Sequence, residues 1–344
     1  PEREMDMLMS TGEQASAALL AMAIERLGFR VISFTGVQVG IMTDKTHTKA
    51  RILDINTKRI DEQIKKGRIV VVAGFQGVTS EQDITTLGRG GSDLTAVALA
   101  KALSAKYCEI YSDVEGVYTA DPRIVSQARK LKMISYDEML ELASLGAQII
   151  QARSIEVAKK FNVVIHARSS FSNKRGTIIC KEGNTMEDVV VSGVTLNKSE
   201  SKITICDVPD KPGLAGKIFN AISEKNVNVD MIVQNTSQHR ITDISFTVPK
   251  DVSKKALRVT RTIARNIGAG SVFEDSDIAR VSIVGVGMKS HPGTAAKMFK
   301  ALAEQKINIE MISTSDISIS CIIKKKFGET AVRALHDKFN LGKK

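Results

Sequence analysis

Ile69-Val70-Val71-Val72-Ala73-Gly74-Phe75 opens with four β-branched residues and carries no charge. Strand side chains alternate between faces, so a run apolar at both parities predicts a strand buried on both sides, in the middle of a parallel sheet. Gly67 ends the helical pattern of residues 58–66 just before it. Working outward, helix-period and strand-period segments alternate. An Ala-rich helix over 15–27 runs into Gly28, and a strand over 31–34 ends at Thr35-Gly36. Downstream come a helix over 93–103, a strand over 107–111, a helix over 136–145 and a strand over 163–167. Helices between buried strands predict an α/β sandwich with a mostly parallel sheet, which takes ligands at the carboxyl ends of its strands.

Past residues 173–184, which loosen into polar residues and glycine, the chain repeats itself. A shift of 80 positions lays Pro212-Gly213 on Pro292-Gly293, Phe219 on Phe299, Asn228 on Asn308 and Met231-Ile232 on Met311-Ile312. Each copy reads strand (203–207; 281–286), Pro-Gly turn, helix (214–224; 294–305), strand (229–234; 309–313), strand (241–248; 317–323), helix. Residues 272–274 can close the first copy with a further strand. The second ends with a helix over 329–339 and lacks one, and residues 189–195, belonging to neither pattern, are expected to fill that gap. The predicted domains are 1–184, 185–278 and 279–344.

The 344 residues are 43% apolar and 25% charged, with a formal net charge of +11. No apolar run reaches the ~20 residues of a membrane-spanning helix, so no membrane partner is expected. Residues 324–344 hold seven Lys/Arg against Glu329 and Asp337, or +5 of the net charge. With 4% aromatics and no Trp, stacking platforms for bases are scarce, and nucleic acid is not expected. Cys108, Cys180, Cys206 and Cys321 lie far apart and read as reduced core thiols of a cytoplasmic protein. Five scattered histidines suggest no metal site. Met5, Met7 and Met9 read as core filling.

Two motifs carry chemistry. Thr86-Leu87-Gly88-Arg89-Gly90-Gly91-Ser92-Asp93 leads from the strand region into a helix. Its glycines admit a ligand close to the backbone, N–H groups at a helix N-terminus attract anionic oxygens, and Arg89 offers a planar fork to a carboxylate or phosphate. The bland alternative is that Ser92 or Asp93 merely caps the helix. The second motif, Tyr111-Ser112-Asp113-Val114-Glu115-Gly116-Val117-Tyr118-Thr119-Ala120-Asp121-Pro122-Arg123, begins at a strand's carboxyl end. It supplies acidic groups for ribose or magnesium, and Tyr118 and Arg123 for stacking and phosphate neutralisation.

With Ser10-Thr11-Gly12-Glu13, Ser33-Phe34-Thr35-Gly36 and Val72-Ala73-Gly74-Phe75-Gln76-Gly77, these motifs resemble, in order, those of the aspartate kinases of the amino acid kinase fold. The repeat, with Asp210-Lys211-Pro212-Gly213 and His291-Pro292-Gly293, resembles the family's tandem ferredoxin-like ACT domains. The resemblance implies phosphorylation of the β-carboxylate of L-aspartate by Mg²⁺-ATP, giving 4-phospho-L-aspartate for the lysine, threonine and methionine pathways.

Carried over residue by residue, it implies that Arg89 clamps the aspartate α-carboxylate, with Gly90 beside it. Glu13 would lie near the ammonium, Ser92 would donate to the substrate, and Asp93 would organise a catalytic lysine. Ser112, Asp113, Tyr118 and Arg123 would hold the nucleotide, with Gln148 and Ile149 at its edge, where some members have a lysine. The family's opening strand and Lys-[Phe/Tyr]-Gly-Gly turn has no counterpart here, so the catalytic domain is read as N-terminally incomplete. Loss of such a donor typically costs ~10² to 10³ in rate, and the alternative reading is a catalytically incomplete, amino-acid-binding regulatory subunit.

A Pro-Gly turn entering a helix exposes N–H groups to an effector carboxylate. Lysine, threonine or both are expected between facing ACT units, at Asp210, Gly213, Asn228, Asp230 and Gln234 in one and Ser290, His291, Gly293, Asn308 and Ser313 in the other. Edge strands and apolar residues at Ile232, Val233 and Ile312 predict a homo-oligomer assembled through this region.

Overall fold

The computed structural model describes residues 1–147, 149–181, 190–235 and 241–342. By contacts the chain forms two compact units: Pro1–Tyr118 with Lys130–Met186, and Thr119–Arg129 with Glu187–Lys344.

The first unit runs α1 (Glu2–Arg26), β1 (Val31–Phe34), β2 (Ile41–Thr43), β3 (Ile52–Ile55), α2 (Lys58–Lys65), β4 (Ile69–Val72), β5 (Gln76–Val78), β6 (Ile84–Thr86), α3 (Gly91–Ala102), β7 (Cys108–Ser112), β8 (Met133–Ser135), α4 (Tyr136–Ser144), α5 (Ala152–Phe161), β9 (Ile165–Ser169) and β10 (Thr177–Cys180). The α/β class is as expected: β1 and β4 form a parallel pair, and the parallel pairs β2–β5, β7–β9 and β8–β10 are joined by antiparallel ones in two four-stranded sheets.

Two expectations need correction. β4 is not buried on both faces: Ile69 is 43% exposed and Val70–Val72 are half-buried. Among the described residues β4 pairs with β1 alone, in register from Val31↔Ile69 to Phe34↔Val72, so apolarity at both parities reflects packing by helices rather than a central sheet position. Met5, Met7 and Met9 are 45–50% exposed, not core. A spacing of two winds around a helix, whereas the buried stripe of α1 is Asp6, Ser10 and Ala17. That stripe is polar where it approaches the site described below.

The second unit runs β11 (Gly193–Asn197), β12 (Glu200–Pro209), α6 (Leu214–Ser223), β13 (Ile232–Gln234), β14 (Ile241–Pro249), α7 (Ser253–Asn266), β15 (Val272–Asp275), β16 (Ile278–Val284), α8 (Thr294–Glu304), β17 (Met311–Thr314), β18 (Ser318–Lys324) and α9 (Gly328–Lys338). Its sheets are ordered β13-β14-β12-β15 and β11-β16-β18-β17. β15 closes the first copy on β12. β11 takes the corresponding edge of the second, antiparallel to β16 from Gly193↔Val284 to Asn197↔Arg280. The gap is thus filled from the segment before the first copy, by a strand that starts four residues and ends two residues further along than expected; Val189 lies outside the described residues. Ile203, Ile205, Ile218, Ile222 and Phe246 form the first copy's core, with Phe219 edge-on to Phe246 at 5.5 Å.

Candidate active site

The 86–93 motif turns between β6 and α3. Gly88 and Gly90 have φ of +80° and +72°, conformations that cost any residue with a Cβ. A side chain at Gly90 would also sit 2.4 Å from the Gln151 Cβ, and one at Gly91 2.8 Å from the Phe75 ring. The helix starts without a side-chain cap, so the capping alternative fails. Gly91 N–H is satisfied by Gly88 O and Leu94 N–H by Gly90 O. The intervening N–H groups of Ser92 and Asp93 have no acceptor among the described residues. Arg89 is exposed and makes no ion pair among them.

Glu13 comes to this turn from α1, where its Oε1 accepts from Ser92 Oγ at 3.5 Å. Gly74, just past β4, lies against Ser92, its ideal Cβ position 3.3 Å from Ser92 Oγ. Asp93 Oδ2 accepts from Gln151 N–H at 3.4 Å, and burial raises the Asp93 carboxyl above its usual range. Glu13, Arg89, Gly90, Ser92 and Asp93 therefore share one neighbourhood beside the end of β4.

Two groups holding this turn were missed in the sequence. Asp6, fully buried, accepts from Thr48 N–H at 3.1 and 3.0 Å, from Thr86 Oγ1 at 2.5 Å and from His47 Nδ1 at 2.7 Å. Thr48 has φ +64°, and its carbonyl oxygen lies 3.0 Å from where a Gly88 Cβ would be. Arg153, its charge disfavoured by burial, donates to Leu87 O at 2.8 Å and Ala50 O at 2.7 Å. A carboxylate among methionines read as core filling was the available signal for Asp6; none pointed to Arg153.

In the second motif, Ser112 ends β7 and its Oγ accepts from Val114 N–H at 3.3 Å. Asp113 is exposed. Glu115 pairs with Lys174 at 2.9 Å and Lys130 at 3.4 Å, and Lys174 chiefly holds its carboxyl below the usual range. Tyr118 OH reaches Glu115 Oε2 at 3.4 Å. Arg123, in contrast, belongs to the second unit, where its Nε and Nη2 engage Asp121 at 3.0 and 2.8 Å. Ile149 is half-buried, and Gln148 lies outside the described residues.

In the repeat, Gly213 and Gly293 have φ of +88° and +91° and start α6 and α8 without side-chain caps. Asp210, Asn228, Asp230, Gln234, His291, Asn308 and Ser313 are exposed. His291 Nδ1 lies 2.8 Å from Gly287 O. The Ser290 side chain lies outside the described residues.

An uncapped glycine turn at a helix N-terminus, on an α/β unit followed by a doubled βαββ repeat, defines a small-molecule kinase with a tandem ACT region. Residues 2–168 match the amino acid kinase family, and 203–262 and 281–339 each match an ACT domain. The aspartate kinase of Pseudomonas fluorescens is 53% identical over 340 residues, 98% of this chain and 82% of its own length. The aspartokinase of Corynebacterium efficiens is 50% identical over 99% of this chain and 82% of its length. A structure of Escherichia coli aspartokinase III in complex with aspartate and ADP has the same fold, with a TM-score of 0.83 at 24% identity over 98% of this chain and 76% of its own. The chain belongs to the aspartate kinase family. It is a kinase that transfers the γ-phosphoryl group of ATP to the β-carboxylate of L-aspartate, the first step toward lysine, threonine and methionine.

No described helix is long and apolar enough to cross a membrane. The four cysteines are unbridged, and burial raises the Cys108 and Cys321 thiols to about 11 and about 12, leaving them unreactive near neutrality.

Proposed function

We propose that the kinase works through the turn at residues 88–93. Arg89 grips the aspartate α-carboxylate as a fork, the Glu13 carboxylate takes the ammonium, and Ser92 Oγ and the open helix N-terminus meet the carboxylate oxygens. The β-carboxylate oxygen then attacks the γ-phosphorus and ADP departs. Such a transfer asks chiefly for in-line positioning and compensation of charge. Asp93 orients this end of the site, and Ser112, Asp113, Tyr118, Arg123, Gln148 and Ile149 serve the nucleotide.

A magnesium ion bound with the triphosphate would supply charge neutralisation at its oxygens, and Asp113 is the residue that would hold it. Such an ion keeps several waters and needs only one or two carboxylates. The exposed Asp113 suits that demand, and no preformed cluster of three or more ligating side chains occurs among the described residues.

In this reading residues 1–184 form the catalytic domain, and 185–278 and 279–344 the two ACT domains. Escherichia coli aspartokinase III has also been solved with lysine and aspartate (25% identity, TM-score 0.76). Here lysine or threonine is the proposed effector at the Gly213 and Gly293 turns. Assembly through the ACT region and a reducing, cytoplasmic setting complete the proposal.

The observation that carries it is the Ser92–Glu13 contact at an uncapped glycine turn. Trapping the acyl phosphate with hydroxylamine tests it. Hydroxamate should form from L-aspartate and ATP and fall at least tenfold in Glu13→Gln and Ser92→Ala variants; unchanged rates in both would remove the turn from the site.

A further inference from the structure

The nucleotide motif does not end inside the unit where it begins. The chain leaves the first unit after Tyr118, and Thr119–Arg129 belongs to the second. The neck is a pair of antiparallel strands: Tyr118 bridges Lys130 on one side, and Thr119 N–H donates to Arg129 O at 2.9 Å on the other.

Thr119 is fully buried, and every polar atom it has is used. Its carbonyl accepts from Val194 N–H at 2.8 Å. Its hydroxyl lies 3.1 Å from Leu341 O, 3.0 Å from His336 Nε2 and 3.0 Å from Arg129 N–H. A hydroxyl has one proton and two lone pairs. Leu341 O can only accept and Arg129 N–H can only donate, so the proton goes to Leu341 and the other lone pair takes His336 Nε2–H. That fixes the tautomer. His336 Nδ1, buried without a hydrogen-bond partner, is then the unprotonated nitrogen, in keeping with burial disfavouring the charged ring.

The same terminal segment holds the rest of the excursion. Ala128 bridges Gly342, and Arg333 Nη1 donates to Ile124 O at 3.2 Å. The ACT fold has no need of a buried histidine here. Counted from the 3₁₀ turns Lys250–Val252 and Lys325–Phe327 that precede α7 and α9, the first copy has Arg261 in the place of His336, and Arg261 is exposed.

We propose that His336 and Leu341, at the end of the second ACT copy, are positioning residues for the nucleotide motif. They act through Thr119, one peptide bond from Tyr118, so loss of this network alters nucleotide binding. This rests on the reading of Tyr118 and Arg123 as nucleotide contacts. A buried hub such as Thr119, with every polar atom bonded, resists other geometries, as a positioning device requires.

The test is steady-state kinetics on the full chain, with thermal midpoints measured alongside. Thr119→Val and His336→Leu should each raise KM for ATP by about tenfold, the effect of one buried hydrogen bond, while KM for aspartate stays within twofold. Thr119→Ser and His336→Gln, which keep the donors, should restore it. Deleting residues 341–344 removes the Leu341 acceptor and should reproduce the rise independently of either side chain. Arg123→Gln serves as the control for the reading beneath. If it raises KM for ATP and the pin variants do not, the positioning role is overturned and the nucleotide reading stands. If neither does, the nucleotide reading fails and this proposal with it. A fall in kcat and thermal midpoint without a split between the two KM values would make the network purely structural and also overturn it.

Discussion

Met231 and Met311, 80 residues apart at equivalent places in the two ACT copies, meet in one buried cluster with Ile278 and Ile322. Salt bridges follow the same exchange. Lys202, on the first strand of the first copy, pairs with Glu310 of the second. Arg280, on the first strand of the second, pairs with Glu200 at 2.6 Å. With β11 also lent to the second copy, the two repeats interlock.

The Arg280–Glu200 pair is 6% and 2% exposed, and burial raises the Glu200 carboxyl against the pull of Arg280. Arg280→Met should destabilise the protein by about 3–5 kcal/mol, because it strands a buried charge. A raised folded pKa favours the protonated folded state below it, and that contribution is lost as pH rises through it. The variant's deficit should therefore be smaller at pH 5 than at pH 8. Urea unfolding of both proteins at both pH values measures this; an equal deficit would mean Glu200 is not the stranded group.

Arg89→Lys should weaken aspartate far more than ATP, since an ammonium cannot reproduce the fork. A charged hydrogen bond is worth roughly 1.5–3 kcal/mol, or about ten- to a hundredfold in affinity. Calorimetric titration of each ligand decides, and unchanged aspartate affinity would exclude Arg89.

Asp6→Asn keeps the shape of the buried hub but removes the charge that gathers Thr48, Thr86 and His47. We expect a stability loss of about 1–3 kcal/mol and a raised KM for aspartate with little change for ATP. Equal effects on both substrates would show that the hub does not act through the 86–93 turn.

Thermal shift with each of the twenty amino acids should show stabilisation by lysine or threonine at millimolar concentration. A hundredfold excess over Kd is worth about 2.7 kcal/mol. Replacing Gly213 or Gly293, whose positive φ opens the turn, by Val should abolish the response. No shift with any amino acid would leave the repeat a structural module.

β13 and β17 are edge strands, and Ile232 and Ile312 on them are 53% and 44% exposed. Unpaired edges with apolar side chains seek partners. Light scattering at tens of micromolar should give at least a dimer, reduced to monomer by Ile232→Asp with Ile312→Asp. A monomeric parent protein would refute the assembly.

The alternation of the longer helices and strands, the 80-residue repeat and the two glycine-bearing motifs were legible in the sequence because each rests on local physics, whereas short elements such as β2, β3, β5 and β6 were not. Period, turn chemistry and capping act over a few residues. Even the missing strand of the second copy could be foreseen, since a sheet edge left open by one segment needs another. Tertiary structure alone decided what depends on distant partners. It showed that among the described residues β4 pairs with β1 alone, that the buried stripe of α1 includes Asp6 and Ser10 rather than its methionines, and that Arg153 holds Leu87 and Ala50. It also divided the 111–123 motif after Tyr118, because Thr119 meets His336, 217 residues further along. No periodicity records such a pair: its hydrogen bond forms only when burial removes the water that would otherwise satisfy both side chains.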